Sequence, residues 1–435
     1  MSWLTRYRLK LYFRNSIWIF PVLSIVLALV TVAVLNRIER ALGLTMQISP
    51  ETARTVIGTV AASMFTLVVI GSSAVLLSVQ LASAQLTPRI IAFVYRNRMR
   101  KFSLTLFVFT FTFSVAVLVR IEGSVPLVTT YLAAYGFLIN LAVFIYFCDE
   151  IGKTLRPSSA LRTLAIAGRE VIRSVYPRPL NQDELSTKPA KSGMDTLTRV
   201  VLNAQDGVVL ALDLKGLVSM AERANCRIEV IPEVGDFVST GEPLFRIFEG
   251  GASLSEETLQ KSIAVDHERT LEQDPMFALR IIVDIATKAL SPAINDPTTA
   301  VLALDQLHHI LRDVGSRSLG DGREMDAKGT VRLVYRTPNW DDFVRLAVIE
   351  IRQYGGDSIQ IVRRLRAMLE NLIETLPERR ALVLRQELKV LSSSTKRKFA
   401  EPDDQSLAEE GDLQGMGGGL QDERPYHGNH LPVVA

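Results

Sequence analysis

TVIGTVAASMFTLVVIGSSAVLLSVQLASAQLTP, residues 55–88, carries no charged side chain between Arg54 and Arg89. It is far longer than the roughly 20 apolar residues that a bilayer crossing needs. Within it Thr59, Ser63, Thr66, Ser73 and Gln80 follow a 4-3-4-3 step pattern, with Ile70 and Leu77 filling the gaps. That spacing puts them on one stripe of a helix. The stripe has two readings. Uncharged hydroxyls and amides could line a water-filled path in an oligomer. They could equally mark close helix packing, which Gly58, Ala62 and Gly71 would also serve.

Around this stretch the 435 residues divide in two. Hydrophobic residues make up 48% of the chain and concentrate before residue 150, so a membrane half precedes a soluble half. The net charge of +3 is too small to argue for nucleic acid. Cys148 and Cys226 are the only cysteines, which excludes a disulfide framework and reads as two structural thiols. The apolar run at 17–35 is too long for a usual signal core and lacks a small-x-small cleavage site, so it reads as a span. Trp3, Tyr7, Tyr12 and Trp18 are expected in its interfacial belt. Further spans fall at about 55–85, 102–119 and 125–148, the third made bulky by Phe107, Phe109, Phe111 and Phe113.

Four spans leave both ends on one side. Arg6, Arg8, Lys10 and Arg14 precede the first, Arg89, Arg96, Arg98, Arg100 and Lys101 lie between the second and third, and Lys153, Arg156 and Arg162 follow the fourth. The opposite loops hold Arg37, Arg40, Arg54 and Arg120, offset by Glu39, Glu51 and Glu122. The positive-inside bias then places both termini in the cytoplasm. The span cores hold no Asp, Glu, Lys, Arg or His, which argues against a proton-coupled transporter.

The soluble half reads as α+β. Residues 151–197 form connecting helices, broken at Pro157, and a Pro- and Lys-containing linker. A small β module at 198–250 follows. Its phrase GDFVSTGEPLFRI, residues 235–247, resembles half of the barrel-sandwich scaffold of biotinyl and lipoyl carriers. Those carriers hold their cofactor on a Lys in a hairpin, whereas Lys215 starts a helix here, so the likeness implies a scaffold and no cofactor. Residues 251–393 read as mainly helical, with strand at 329–338 and a cap at Asn339 or Asp341. The tail, 394–435, has few large apolar residues and a glycine run, and is expected to be disordered.

The residues of the soluble half richest in chemistry are His267, Arg269, Gln273 and Asp274, followed by Asn295 and Asp296. A metal site drawn from His267, Asp274, Asp296, His308 and His309 matches no zinc or di-metal spacing, so no metal is assigned. Arg269 with Asp274 reads as a polar clasp, and SPAINDP at 291–297 as an interhelix connection whose Asn295 or Asp296 satisfies free backbone donors.

SSAVLLSVQLASAQLTPR, GDFVSTGEPLFRI, HERTLEQDPMFALRIIVDIATKALSPAINDPTTA and NWDDFVRLAVIEIRQYGGDS together resemble the bacterial membrane proteins catalogued as domain of unknown function 2254. The resemblance covers nearly all of the chain before the tail. It implies a multi-pass protein of the bacterial inner membrane, and carries over no catalytic residue. Three functional readings remain. The first is a homo-oligomeric, channel-like or transport protein passing an ion or small solute, with the bilayer and its own copies as partners. The second is a membrane-anchored sensor or scaffold whose soluble domain binds a partner or small ligand. The third, an enzyme at His267 and Asp274, has no nucleophile elbow, phosphate loop or dinucleotide fingerprint behind it.

Overall fold

The computed structural model describes residues 2–91, 97–122, 124–154, 156–180 and 196–417. It divides into two compact units: Met1–Ala167 with Lys191–Phe277 and Asp321–Thr337, and Gly168–Ala190 with Ala278–Gly320 and Pro338–Ala435.

The first unit opens with α1 (Trp3–Asn15), capped by the Ser2 hydroxyl on the Thr5 amide. Four helices then have the length and composition of membrane spans: α2 (Ile19–Leu42), α3 (Pro50–Gln85), α4 (Arg98–Leu118) and α5 (Leu127–Thr154). The start of α3 follows from Ser49, which accepts from the Thr52 amide, with Pro50 in the first turn and Glu51 at the positive end of the helix dipole. Pro88 opens a short 3-10 turn beyond the end of α3. Its neighbour Arg96 lies outside the described residues.

α4 is the centre of the bundle. Half of its apolar window is buried (50%), against 22% for α2, 28% for α3 and 17% for α5. Phe107 is fully buried and meets Phe144 and Phe147 of α5 with ring centroids 6.2 and 6.0 Å apart. Gly71 of α3 faces this ring, where a Cβ would make ordinary contact with Phe107 at 3.4 Å. β1 (Thr45–Met46) and β2 (Val125–Pro126) pair antiparallel in the loops between spans.

The sheets of the first unit are open. β3 (Leu197–Leu202), β7 (Pro243–Phe248), β5 (Arg227–Val230), β10 (Val331–Tyr335) and β9 (Arg323–Met325) lie side by side in that order. β6 (Phe237–Val238), β4 (Gly207–Leu212) and β8 (Ile263–Asp266) form a second sheet. Val201, Val209, Ile228, Phe245, Ile263 and Leu333 meet in one core with the apolar face of α7 (Leu214–Arg223). The barrel-sandwich expectation is therefore not confirmed: no sheet closes, and β10, about a hundred residues downstream, pairs parallel with β5. Cys226 is a buried thiol of this core and Cys148 is exposed on α5.

α6 (Pro157–Val175) leads from the spans. The linker that follows in the sequence reading falls largely on 181–195, outside the described residues. α8 is the short helix Glu256–Gln260, and α9 (Pro275–Ala289) carries the chain into the second unit. That unit is built from α10 (Pro297–Gly315), α11 (Trp340–Tyr354), α12 (Ile359–Thr375), α13 (Glu378–Lys398) and α14 (Pro402–Ala408). Asn339 and Asp342 form a reciprocal capping box at the start of α11.

The tail departs from its expected disorder. α13 runs to Lys398, and residues 402–417 dock on α12 although they carry few apolar groups. Polar contacts do the work. The Arg363 and Arg366 guanidiniums, both buried, donate to the Glu410 and Ala408 carbonyls at 3.2 Å each. The Asp412 carboxylate accepts from the amides of Gln414, Gly415 and Gly417. Residues 418–435 lie outside the described residues.

Candidate functional site

The polar stripe of α3 faces away from its own bundle. Thr59, Thr66, Ser73 and Gln80 are exposed and Ser63 is half-buried, whereas Ile57, Met64, Gly71 and Val75 form the buried side. The Thr59 and Thr66 hydroxyls donate to the carbonyls of Thr55 and Ala62 one turn back, at 2.8 and 3.1 Å. Such back-bonding is how a hydroxyl is satisfied where no neighbouring helix offers a partner. Packing within the chain therefore rests on Gly71 and the apolar side, not on the stripe.

Within the first unit, His267, Arg269, Gln273 and Asp274 do not share one set of contacts. Arg269 donates to the Asp274 carboxylate, which is 2% exposed and also accepts from the Phe277 amide at 3.0 Å, capping α9. Burial raises the Asp274 carboxyl above its ordinary range, and the hydrogen bond and charge of Arg269 pull the other way. The Arg269 guanidinium lies against Gly235, whose φ of +100° and lack of Cβ leave the room: a Cβ would stand 2.1 Å from a guanidinium nitrogen. Gln273 pairs by both ends of its amide with the backbone of Leu212, 3.0 Å from the N–H and 3.2 Å from the carbonyl.

His267 is exposed and joins none of these; its backbone N–H donates to the Asp266 carboxylate. Asn295 and Asp296 belong to the second unit. Asn295 takes a left-handed φ of +49°, and Asp296 caps α10 by accepting from the Thr299 amide at 3.0 Å. Pro297, the last residue of that connection, occupies the first turn of α10. Among the described residues no group of three His, Cys, Asp or Glu side chains could hold a metal. The chemistry of these phrases is that of turns and caps.

The sequence profile described as predicted membrane protein (DUF2254) matches residues 14–371. The chain belongs to that family. Relatives include uncharacterized proteins of Mycobacterium bovis and of Mycobacterium tuberculosis, each 25% identical over 417 residues, which cover 91% of this chain and 79% of the relative. No solved structure matches.

Three polar residues of this DUF2254 protein that sequence reading passed over hold its spans together. Glu39, counted there only as a loop charge, is 2% exposed at the end of α2. Its carboxylate accepts from the amides of Val128 and Thr129, at 2.5 and 3.1 Å, and from the Thr129 hydroxyl, so it caps α5 from another helix. Asn140, fully buried on α5, donates to the Thr110 hydroxyl of α4 at 2.8 Å and to its own Gly136 carbonyl at 2.7 Å. Lys101, in the first turn of α4, donates to the carbonyls of Phe13 and Arg14, at 3.3 and 2.7 Å, and so closes the end of α1. A signal for Asn140 was available, because an amide in the middle of an apolar run is uncommon without a partner.

Proposed function

We propose that the protein is a homo-oligomeric, channel-like protein of the bacterial inner membrane, with the outer faces of α3 from neighbouring copies meeting around a path for an ion or small solute. The direction of the stripe carries this reading: Thr59, Thr66, Ser73 and Gln80 sit on the exposed side of α3. The two hydroxyls that bond back to α3 tolerate lipid, but the Gln80 amide facing acyl chains is costly. Facing a second polar row or a water-filled path removes that cost. α3 has 36 residues, about 54 Å of helix, and the row from Thr59 to Gln80 covers about 32 Å of it, close to the thickness of the hydrocarbon layer. The basic residues flanking the spans favour a cytoplasmic side for both termini, and with it the soluble half, which would assemble the copies.

The test is the stoichiometry of the full chain in lipid nanodiscs, by mass photometry, alongside ion flux from proteoliposomes. The reading expects a discrete oligomer and a flux that Gln80→Leu alters. A monomer in lipid, or vesicles that stay tight to small ions and solutes, would contradict it.

A further inference from the structure

The sequence assigns the aromatic residues before the first span to a single interfacial belt, but α1 divides them between two faces. Trp3, Leu4, Tyr7 and Leu11 pack on Leu210, Ala211 and Ala264 of the β4–β8 sheet, with the Trp3 and Tyr7 rings stacked 5.3 Å apart. Burial raises the Tyr7 hydroxyl above its ordinary range, with Thr270 pulling the other way. The opposite face is apolar and exposed: Leu9 is 46%, Tyr12 52% and Phe13 42% exposed. At 100° per residue these three span one sector of the helix, with Arg8 on one edge and Arg6 and Lys10 on the other.

The charges sort in the same way. Arg14, on the inner side, donates to both Glu272 oxygens at 2.7 Å. Arg6, Arg8 and Lys10 are exposed and make no ion pair with any described residue. Two further observations set the height of this face. Asn15 and Ile19, the end of α1 and the start of the span α2, are four residues apart, at most about 14 Å of chain. Lys101, in the first turn of the span α4, holds the last carbonyls of α1. Trp18, between the two helices, is 54% exposed with its ring 6.4 Å from Tyr12.

We propose that this outer face of α1 lies in the headgroup layer of the bilayer that holds the spans, with Leu9, Tyr12 and Phe13 inserted and Arg6, Arg8 and Lys10 binding acidic phospholipid headgroups. A leucine and aromatic stripe edged by cations is the pattern of an interfacial helix, whose affinity joins apolar insertion to attraction for anionic lipid. The inner face then ties the β4–β8 sheet to the membrane surface. This site is independent of any path along α3.

The full chain carrying Cys148→Ala and Cys226→Ala is spin-labelled at Leu9→Cys, Phe13→Cys or Leu4→Cys and placed in nanodiscs of phosphatidylcholine, with or without phosphatidylglycerol. Accessibility to oxygen and to a water-soluble nickel chelate is then read. In phosphatidylglycerol, labels at 9 and 13 are expected to favour oxygen over nickel, and the label at 4 to be shielded from both. The combined Arg6→Gln, Arg8→Gln and Lys10→Gln variant should lose co-purified phosphatidylglycerol by on the order of tenfold or more. Arg6→Lys with Arg8→Lys should retain it, separating charge from misfolding. Nickel access at 9 and 13 in both lipids, or shielding from both probes regardless of lipid, which marks a protein cover, would overturn the proposal.

Discussion

Two sets of polar residues cross the membrane half of this protein, and they point in opposite directions. Glu39, Thr110 and Asn140 turn inward and find partners on neighbouring spans. Thr59, Thr66, Ser73 and Gln80 turn outward on α3. The inward set is placed by shape: Gly136 lets Thr110 in, whose methyl stands 3.3 Å from where a Cβ would be. The outward set is placed by exclusion, because the side of α3 that fits α4 is taken by Ile57, Met64 and Gly71. In a bilayer a polar row therefore does not reveal its own direction. Small residues and aromatic rings on the other side do.

The contrast can be broken most severely at Glu39. Glu39→Ala leaves two amides at the start of α5 without an acceptor, and thermal unfolding in detergent should show a loss of about 3 kcal/mol. A loss under about 1 kcal/mol would mean that water replaces the carboxylate and that the inward set is not structural. Asn140→Leu keeps the volume but removes the bond to Thr110; about 1 kcal/mol is expected, in the range measured for interhelical bonds in membranes.

A smaller effect concerns Asp313 of the second unit, which receives Arg169 at 2.8 Å, Arg173 at 3.4 Å and Arg317 at 3.5 Å. Burial alone would raise its carboxyl, but the hydrogen bond and charge of Arg169, aided by the other two, hold it below the ordinary 3.8. A depressed carboxylate stabilises the fold above its unfolded value and loses that contribution as pH falls through the folded one. Arg169→Gln should thus lower stability by under about 1 kcal/mol at neutral pH, and the deficit should vanish in acid. A pH-independent deficit in urea titrations would assign Arg169 a packing role instead. Smallest of all, Thr66→Val should shift the unfolding of the isolated chain by no more than about 0.5 kcal/mol, since its hydroxyl serves only its own helix. A larger loss would place the stripe inside the bundle.

Much of the architecture was legible before any coordinates. The four spans follow from the need of a bilayer to have every backbone group satisfied, which demands long uncharged runs. The turn chemistry at Asp274 and Asp296 was legible for a related reason: short polar side chains beside Pro have few other tasks. What escaped depended on distant pairing. β8 and β9 are 4 and 3 residues long and give no periodic signal, and the strand expected at 329–338 gives no sign that it pairs with β5. The docking of residues 402–417 escaped because arginine-to-carbonyl bonds, not apolar burial, hold it. The helix α1 before the first span escaped because its alternating basic and aromatic residues read only as a flank of that span.

The direction of α3 is tested most directly by single cysteines at every position from 57 to 80, in the chain lacking Cys148 and Cys226, oxidised in native membranes. The account predicts cross-linked copies at 59, 66, 73 and 80, and none at 57, 64, 71 and 75. Cross-links spread evenly around the helix, or their absence along the outer face, would contradict it.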